Sequence, residues 1–316
     1  MCVTATATAT VYATAYAADS SVAIDTAAEV YQAAAMREQV RVLLGAMPDH
    51  IRQLFATDAS ATLSDPQLAA VSAAAVRGFR IDVFEAPALE ALAANLDMPS
   101  LAKIESFLTS DVGKRMVAAD VALAEIGEAN IDKVMNGQIS AGSTKKRDAL
   151  FGKLERATRS AESTVQIFLD MGQAVAVGTA IGSGMDPVAV GERARKSGEA
   201  SRAALEENMR LPMLRFIAYG YRDLSDSDLN HVLAFMESAP GRRYVAAYNA
   251  SMEAGFDAMG RRTGEQLGES LREMAQADLA PQSGEARPGE ARPEHAPPSG
   301  IASPTPLPAA PPATPH

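Results

Sequence analysis

Apolar positions recur along most of this chain at three- and four-residue spacing, which keeps side chains on one face of a helix. Val30, Tyr31, Met36, Val40, Leu43 and Leu44 form the first stripe, after a start at Asp25 or Thr26 and before a stop at Gly45. Pro48-Asp49 opens a short segment through Leu54-Phe55, and Ser64-Asp65-Pro66 starts a longer one through Val83-Phe84. Met98-Pro99-Ser100 opens a stretch to about Val134, after which Asn136-Gly137 and Gly142-Ser143 break the pattern. A long stripe covers residues 145–177, Asp186-Pro187 restarts a polar helix, and Leu211-Pro212 precedes an apolar run at 213–221. Leu224-Ser225 begins the last stretch, where Ser225 and Asp228 read as a capping box. Sustained strand alternation is absent outside the Thr/Ala-rich first residues. The pattern predicts an all-α protein.

Part of the pattern occurs twice. Shifted forward by 128 positions, residues 101–127 fall on 229–255 without a gap. Leu101, Phe107, Ser110, Gly113 and Arg115 meet Leu229, Phe235, Ser238, Gly241 and Arg243, and Glu125 and Gly127 meet Glu253 and Gly255. A self-match at a fixed offset marks a duplicated unit. In each copy Phe ends one helix, Ser sits where it caps the next, and Gly follows three residues on. A basic pair comes next, Lys114-Arg115 or Arg242-Arg243. Cations in a first turn oppose the helix dipole, so the pair reads either as an anion site or as an ion pair with a nearby carboxylate such as Glu105 or Glu237. The ion pair is the commoner use of such residues.

Beyond the second pair, Tyr244, Tyr248, Met252, Phe256 and Met259 share one face. That face reads as core, with a groove for a lipid tail or partner helix as the alternative. The first copy places Met116, Asp120 and Ala124 where the second has Tyr244, Tyr248 and Met252. Residues 168–185 carry Gly172, Ala176, Gly178, Ala180, Gly182 and Gly184, small side chains that let helices approach closely. Asp170 and Gln173 within that stretch favour packing in a soluble bundle over a membrane span.

Composition narrows the function classes. Of 316 residues, 47% are hydrophobic and only 5% aromatic, which suits close-packed Ala-rich helices. A formal charge of −10 speaks against a nucleic-acid partner. The single cysteine, Cys2, leaves the body of the chain without an intramolecular disulfide. Residues 3–17 form an uncharged Ala/Thr/Val/Tyr run ending in Ala15-Tyr16-Ala17, so a leader cleaved after Ala17 and export are expected. From Gln276 the chain carries eleven of its 18 prolines and a repeated Gly-Glu-Ala-Arg-Pro, the composition of a disordered, partly polyproline II tail.

Catalytic motifs are missing. His50 and His231 stand alone, and no zinc, nucleophile-elbow or phosphate-loop signature occurs. A helical hydrolase could use Glu253 or its counterpart Glu125 as a general acid, although recurrence in both copies favours a structural role. No metal or cofactor is implied.

Tyr221, Leu224-Ser225, Asp228-Leu229, Phe235, Ser238, Gly241 and Arg242 resemble the bacterial secreted family called domain of unknown function 2059. The family pattern is a Tyr, then Leu/Phe-Ser/Thr with an acidic-Leu pair, an aromatic, Ser-Pro-x-Gly and a basic residue. Here the proline falls one place later, at Pro240, and the first copy lacks it. The resemblance covers about fifty residues of the second half, within a family-like core at 213–273. It implies an all-helical, exported, usually periplasmic protein, and it brings no catalytic residues.

The expectation is a leader at 1–24, helical units at 25–140 and 141–275, and a tail at 276–316. Its function is expected to be non-enzymatic binding of an envelope component or protein partner. The candidate binding residues are Lys114, Arg115, Arg242, Arg243, Tyr244 and Tyr248. The alternatives are a hydrolase of envelope polymers and a structural or assembly protein.

Overall fold

The computed structural model describes residues 23–41, 44 and 64–279, and all its regular elements are α-helices. The leader, the Gly45 stop, the segment around Pro48 and the Pro-rich stretch from 280 lie outside the described residues. The first half holds α1 (Ile24–Ala33), α2 (Asp65–Gly78), α3 (Ile81–Asn95), α4 (Met98–Leu108), α5 (Asp111–Ala124) and α6 (Glu128–Met135). The second holds α7 (Lys145–Thr158), α8 (Ser160–Ser183), α9 (Pro187–Gly220), α10 (Asp226–Glu237) and α11 (Ala239–Leu279).

Local chemistry explains several boundaries. Ser64 and Gln67 form a capping box on α2, the Asp97 carboxylate accepts from the Ser100 amide at 2.8 Å on α4, and Ser225 with Asp228 boxes the start of α10. Several boundaries differ from the periodicity. The first stripe, read as one helix through Leu44, breaks after Ala33, where Ala35 has a left-handed φ of 49°. The segment from Ser64 to Phe84 turns at Phe79-Arg80 and becomes two helices. The stripe at 145–177 breaks at Arg159, whose φ of 53° is left-handed. A side chain in that conformation is strained by about 1–2 kcal/mol. Conversely, Pro212 starts nothing. It lies inside the 34-residue α9, where its missing amide forgoes one hydrogen bond to the preceding turn. At the end of the chain α11 continues through Leu279, past the boundary expected at Gln276.

The spine is α11, 41 residues and therefore about 60 Å long at 1.5 Å per residue. It packs along α2, α3 and α4 of the first half and along α8 and α10 of the second. Fully buried Phe84, Leu92, Ile104 and Met116 share one core cluster with Phe151, Leu154, Leu229 and Met259. Phe84 meets Phe256 edge to face at 5.4 Å, and the Ser251 hydroxyl donates to the Ala88 carbonyl at 2.8 Å. Gly255 is small because the Phe84 ring occupies the place of its Cβ.

The closest helix contact joins α8 to α11. Gly178 lies against Arg261 and Glu265, Gly182 against Glu265 and Glu269, and Gly268 against Thr179 and Ser183. These pairings ascend together, so the two helices run parallel. A Cβ at Gly178, Gly182, Gly264 or Gly268 would run into the opposing backbone. By contrast, Gly172 touches nothing that would resist a side chain. On the other side of α8, Gly191 meets Val177 and Gly198 meets Leu169, so α9 is antiparallel. Among the described residues α8 is the one helix long and apolar enough to cross a membrane, and here α9 and α11 clasp it.

Candidate anion-binding groove

The two similar segments share their corner geometry. The Ser110 hydroxyl donates to the Phe107 carbonyl at 2.6 Å and accepts from the Gly113 amide at 3.1 Å. Ser238 repeats both bonds with Phe235 and Gly241 at 2.6 and 3.1 Å. The carbonyl of Phe107 or Phe235 fills the space a Cβ on Gly113 or Gly241 would need, which explains the glycine three places after each serine. The segments also pack on each other. Phe107 and Phe235 stack with centroids 3.8 Å apart and planes 6° off parallel.

The basic pairs have divided roles. Arg115 reaches the Asp228 carboxylate at 2.6 Å, and Arg243 reaches Asp97 at 2.7 Å. Each therefore binds a carboxylate at the start of the other segment's first helix, as a local two-fold axis would arrange them. The ion-pair reading is realised with Asp228 and Asp97, not with the sequence neighbours Glu105 and Glu237, because the segments face one another. The pairing and the Ser100 amide hold the Asp97 carboxyl below its usual range, against the opposing effect of desolvation, the largest single influence. The Arg115 side chain, followed by Ser225, lowers Asp228.

Tyr244 is 6% exposed and belongs to the core, while Tyr248 packs against it and donates to the Gln39 side chain at 3.0 Å. Burial raises both hydroxyls above the ordinary tyrosine range. Close by, Tyr221 donates to the Asp120 carboxylate at 2.8 Å. Desolvation pushes Asp120 up to about 7, against the opposing effect of that hydrogen bond.

Lys114 and Arg242, the remaining candidates, are exposed, and Arg242 lines a cavity. A groove of about 670 Å³ lies between the end of α7 and the corner joining α10 to α11. Lys153 and Arg156 project from α7, Arg159 stands at the left-handed break before α8, and Arg242 comes from the first turn of α11. One carboxylate, Glu237, shares the lining, and Arg242 donates to its backbone carbonyl. Among the described residues, none of these four cations is in an ion pair. The floor is mostly apolar, from Ala157, Met236, Val245 and Ala246, with Asn249 one turn beyond Val245 as its neutral polar residue. Four cations against one carboxylate make the groove attractive to an anion even on a chain of net charge −10.

The three α7 and Arg159 cations were not apparent as site residues in the sequence, since they stand over 80 positions from Arg242 within an ordinary charged helix. Neither does Arg147 announce itself. It binds Asp226 at 3.0 Å and donates to the Tyr221, Arg222 and Leu224 carbonyls at 3.3, 3.1 and 2.9 Å, tying α7 to the turn between α9 and α10.

The two glutamates of the repeat stand in different surroundings. Glu125 is exposed at the end of α5. Glu253 is partly buried, and desolvation, then the nearby Asp170, raise its carboxyl above the usual range while Arg202 opposes them. Among the described residues no group of three or more His, Cys, Asp or Glu is placed to hold a metal. Compared with protein-family models, with curated proteins and with solved structures, the chain matches none.

Proposed function

We propose that this protein is a non-enzymatic binding module of the cell envelope that takes an anionic partner in the groove between α7 and the α10–α11 corner. The observation that carries this reading is the convergence of Lys153, Arg156, Arg159 and Arg242 on one cavity, without ion-pair partners among the described residues. Guanidinium groups favour carboxylate and phosphate oxygens through paired N–H donors. The uncharged run at residues 3–17 supports export, as does the resemblance of residues 213–273 to domain of unknown function 2059.

Native mass spectrometry of the full chain, purified from expressing bacteria without denaturant, tests the binding. A bound mass that disappears in Arg156→Gln and Arg242→Gln supports it. A mass that persists in both variants argues that the partner sits elsewhere. A second reading, a hydrolase of envelope polymers, draws on the raised carboxyl of Glu253 beside Asp170, since a general acid must hold its proton near neutral pH. Turnover of an envelope polymer that is lost in Glu253→Gln, with the fold unchanged, favours that reading instead.

A further inference from the structure

We infer that the partner held in this groove is an amphipathic phosphate monoester, with its phosphoryl group among the guanidinium side chains and its apolar part on the α11 floor. The inference rests on the anion-binding reading and adds the chemical class of ligand. Charge comes first. Lys153, Arg156, Arg159 and Arg242 exceed Glu237 by three charges. A carboxylate would neutralise one of these, whereas a phosphate monoester carries about −1.5 to −2 near neutral pH and offers three acceptor oxygens.

Geometry narrows the choice. Three of the four cations are arginines, whose rigid forks match phosphate oxygens, and they enter from separate elements: Arg156 from α7, Arg159 from the α7–α8 break and Arg242 from α11. Three forks lining one groove from separate elements suit a multi-oxygen anion better than a planar carboxylate. Arg242 is already steadied by its bond to the Glu237 carbonyl. The left-handed backbone at Arg159 ends α7 there and lets α8 depart in a new direction beside α11.

Size and lining argue for more than a phosphate. At about 670 Å³ the groove falls within the roughly 300–1,000 Å³ of sites that enclose drug-sized ligands, so inorganic phosphate would leave most of it to water. Along α11, Val245 and Ala246 follow Arg242 within about one turn. With Met236 and Ala157 they give an apolar group a surface beside the cations. A head that needs guanidinium and a neighbour that needs apolar contact describe one amphiphile.

Calorimetric titration of the full chain near neutral pH tests the inference with three probes: monomeric short-chain phosphatidic acid, glycerol phosphate and short-chain phosphatidylcholine. Phosphatidic acid should bind at least about tenfold more tightly than either of the others, a difference of about 1.4 kcal/mol. Arg156→Gln with Arg242→Gln should abolish that preference. Ala246→Glu, which keeps every cation and places a carboxylate on the floor, should do the same. Arg193→Gln, an exposed charge on α9 outside the lining, should leave it intact. Equal binding of glycerol phosphate overturns the amphiphile and leaves the anion reading standing. Equal binding of phosphatidylcholine, or no binding of either phosphate monoester, overturns the phosphoryl head as well. Loss in Arg193→Gln overturns the location, because it reports diffuse charge attraction.

Discussion

The segments α4–α5 and α10–α11 share a corner down to the serine cap and the glycine beneath the phenylalanine carbonyl, and the second corner borders the cation-lined groove. The difference lies in the neighbours. Arg242 stands opposite the α7 cations, whereas Lys114, its counterpart, is exposed and lies outside that groove. The second basic residue of each pair, Arg115 or Arg243, joins the two segments through an ion pair. One position in the repeat therefore maintains the scaffold, and the adjacent position is free to diverge. A repeated motif can be structural in both copies while only one of them contributes a cation to the proposed groove.

The largest expected effect tests whether the corners are equivalent. Gly113→Val and Gly241→Val each force a side chain into a backbone carbonyl, and each should destabilise the fold by about 3 kcal/mol or more. Denaturant unfolding of the two variants measures this. A large loss in one and indifference in the other would mean that the two corners differ in rigidity.

Arg147 serves only the second segment. Its ion pair with Asp226 and its three carbonyl contacts close the turn that launches α10. Arg147→Ala leaves these acceptors without their donor and should cost about 2–3 kcal/mol, read as a lower denaturant midpoint. An equal loss on replacing the exposed Lys146, which also pairs with Asp226, would show that charge alone matters there.

Much of this architecture was legible in the chain. Ser110, Ser238 and the Ser225–Asp228 box announced their helix starts, because capping depends on residues within one turn. The small residues of α8 suggested close packing, and Gly178 and Gly182 provide it. On α11, Gly260, Gly264 and Gly268 repeat the four-residue spacing against α8, a pattern visible along the chain. Other features had no local signal. Arg159 interrupts a continuous apolar stripe without a glycine, and Pro212 sits inside a helix because neighbouring packing outweighs the lost bond. The groove joins α7 to α11, and the Arg115 and Arg243 partners lie across the repeat. Tertiary packing creates such neighbours, and spacing along a chain does not encode them.

Asp120 offers a titration of the interface between the halves. Its carboxyl faces Tyr221 from α9, and its charge is felt by Tyr244 and Tyr248 from α11. The folded state raises it from 3.8 to about 7, so the folded protein holds this proton more tightly than the unfolded chain. Its contribution to stability is therefore fully present below about pH 4 and is lost as pH rises through about 7. Asp120→Asn keeps a polar partner for Tyr221 and removes the charge, so it should gain on the order of 2 kcal/mol above neutral pH and flatten this part of the profile. Denaturant midpoints across that range check it, and an unchanged slope would show that water or rearrangement solvates the carboxylate.

The smallest effect separates a true reciprocal joint from two coincidental surface pairs. The arginine of each pair is about half exposed, at 50% for Arg115 and 49% for Arg243, so each ion pair should contribute only about 0.5 kcal/mol. Arg115→Ala and Arg243→Ala should therefore have similar small effects, and both should shrink as salt is added. Their combination carries the information. Both pairs and the Phe107–Phe235 stack join the same two segments, so losing one pair leaves the other to hold them. Losing both should destabilise the protein by more than the sum of the single changes, a coupling of about 0.5 kcal/mol in a double-mutant cycle. Strict additivity would mean that the stacked phenylalanines and their buried surroundings hold the segments together without help from the arginines.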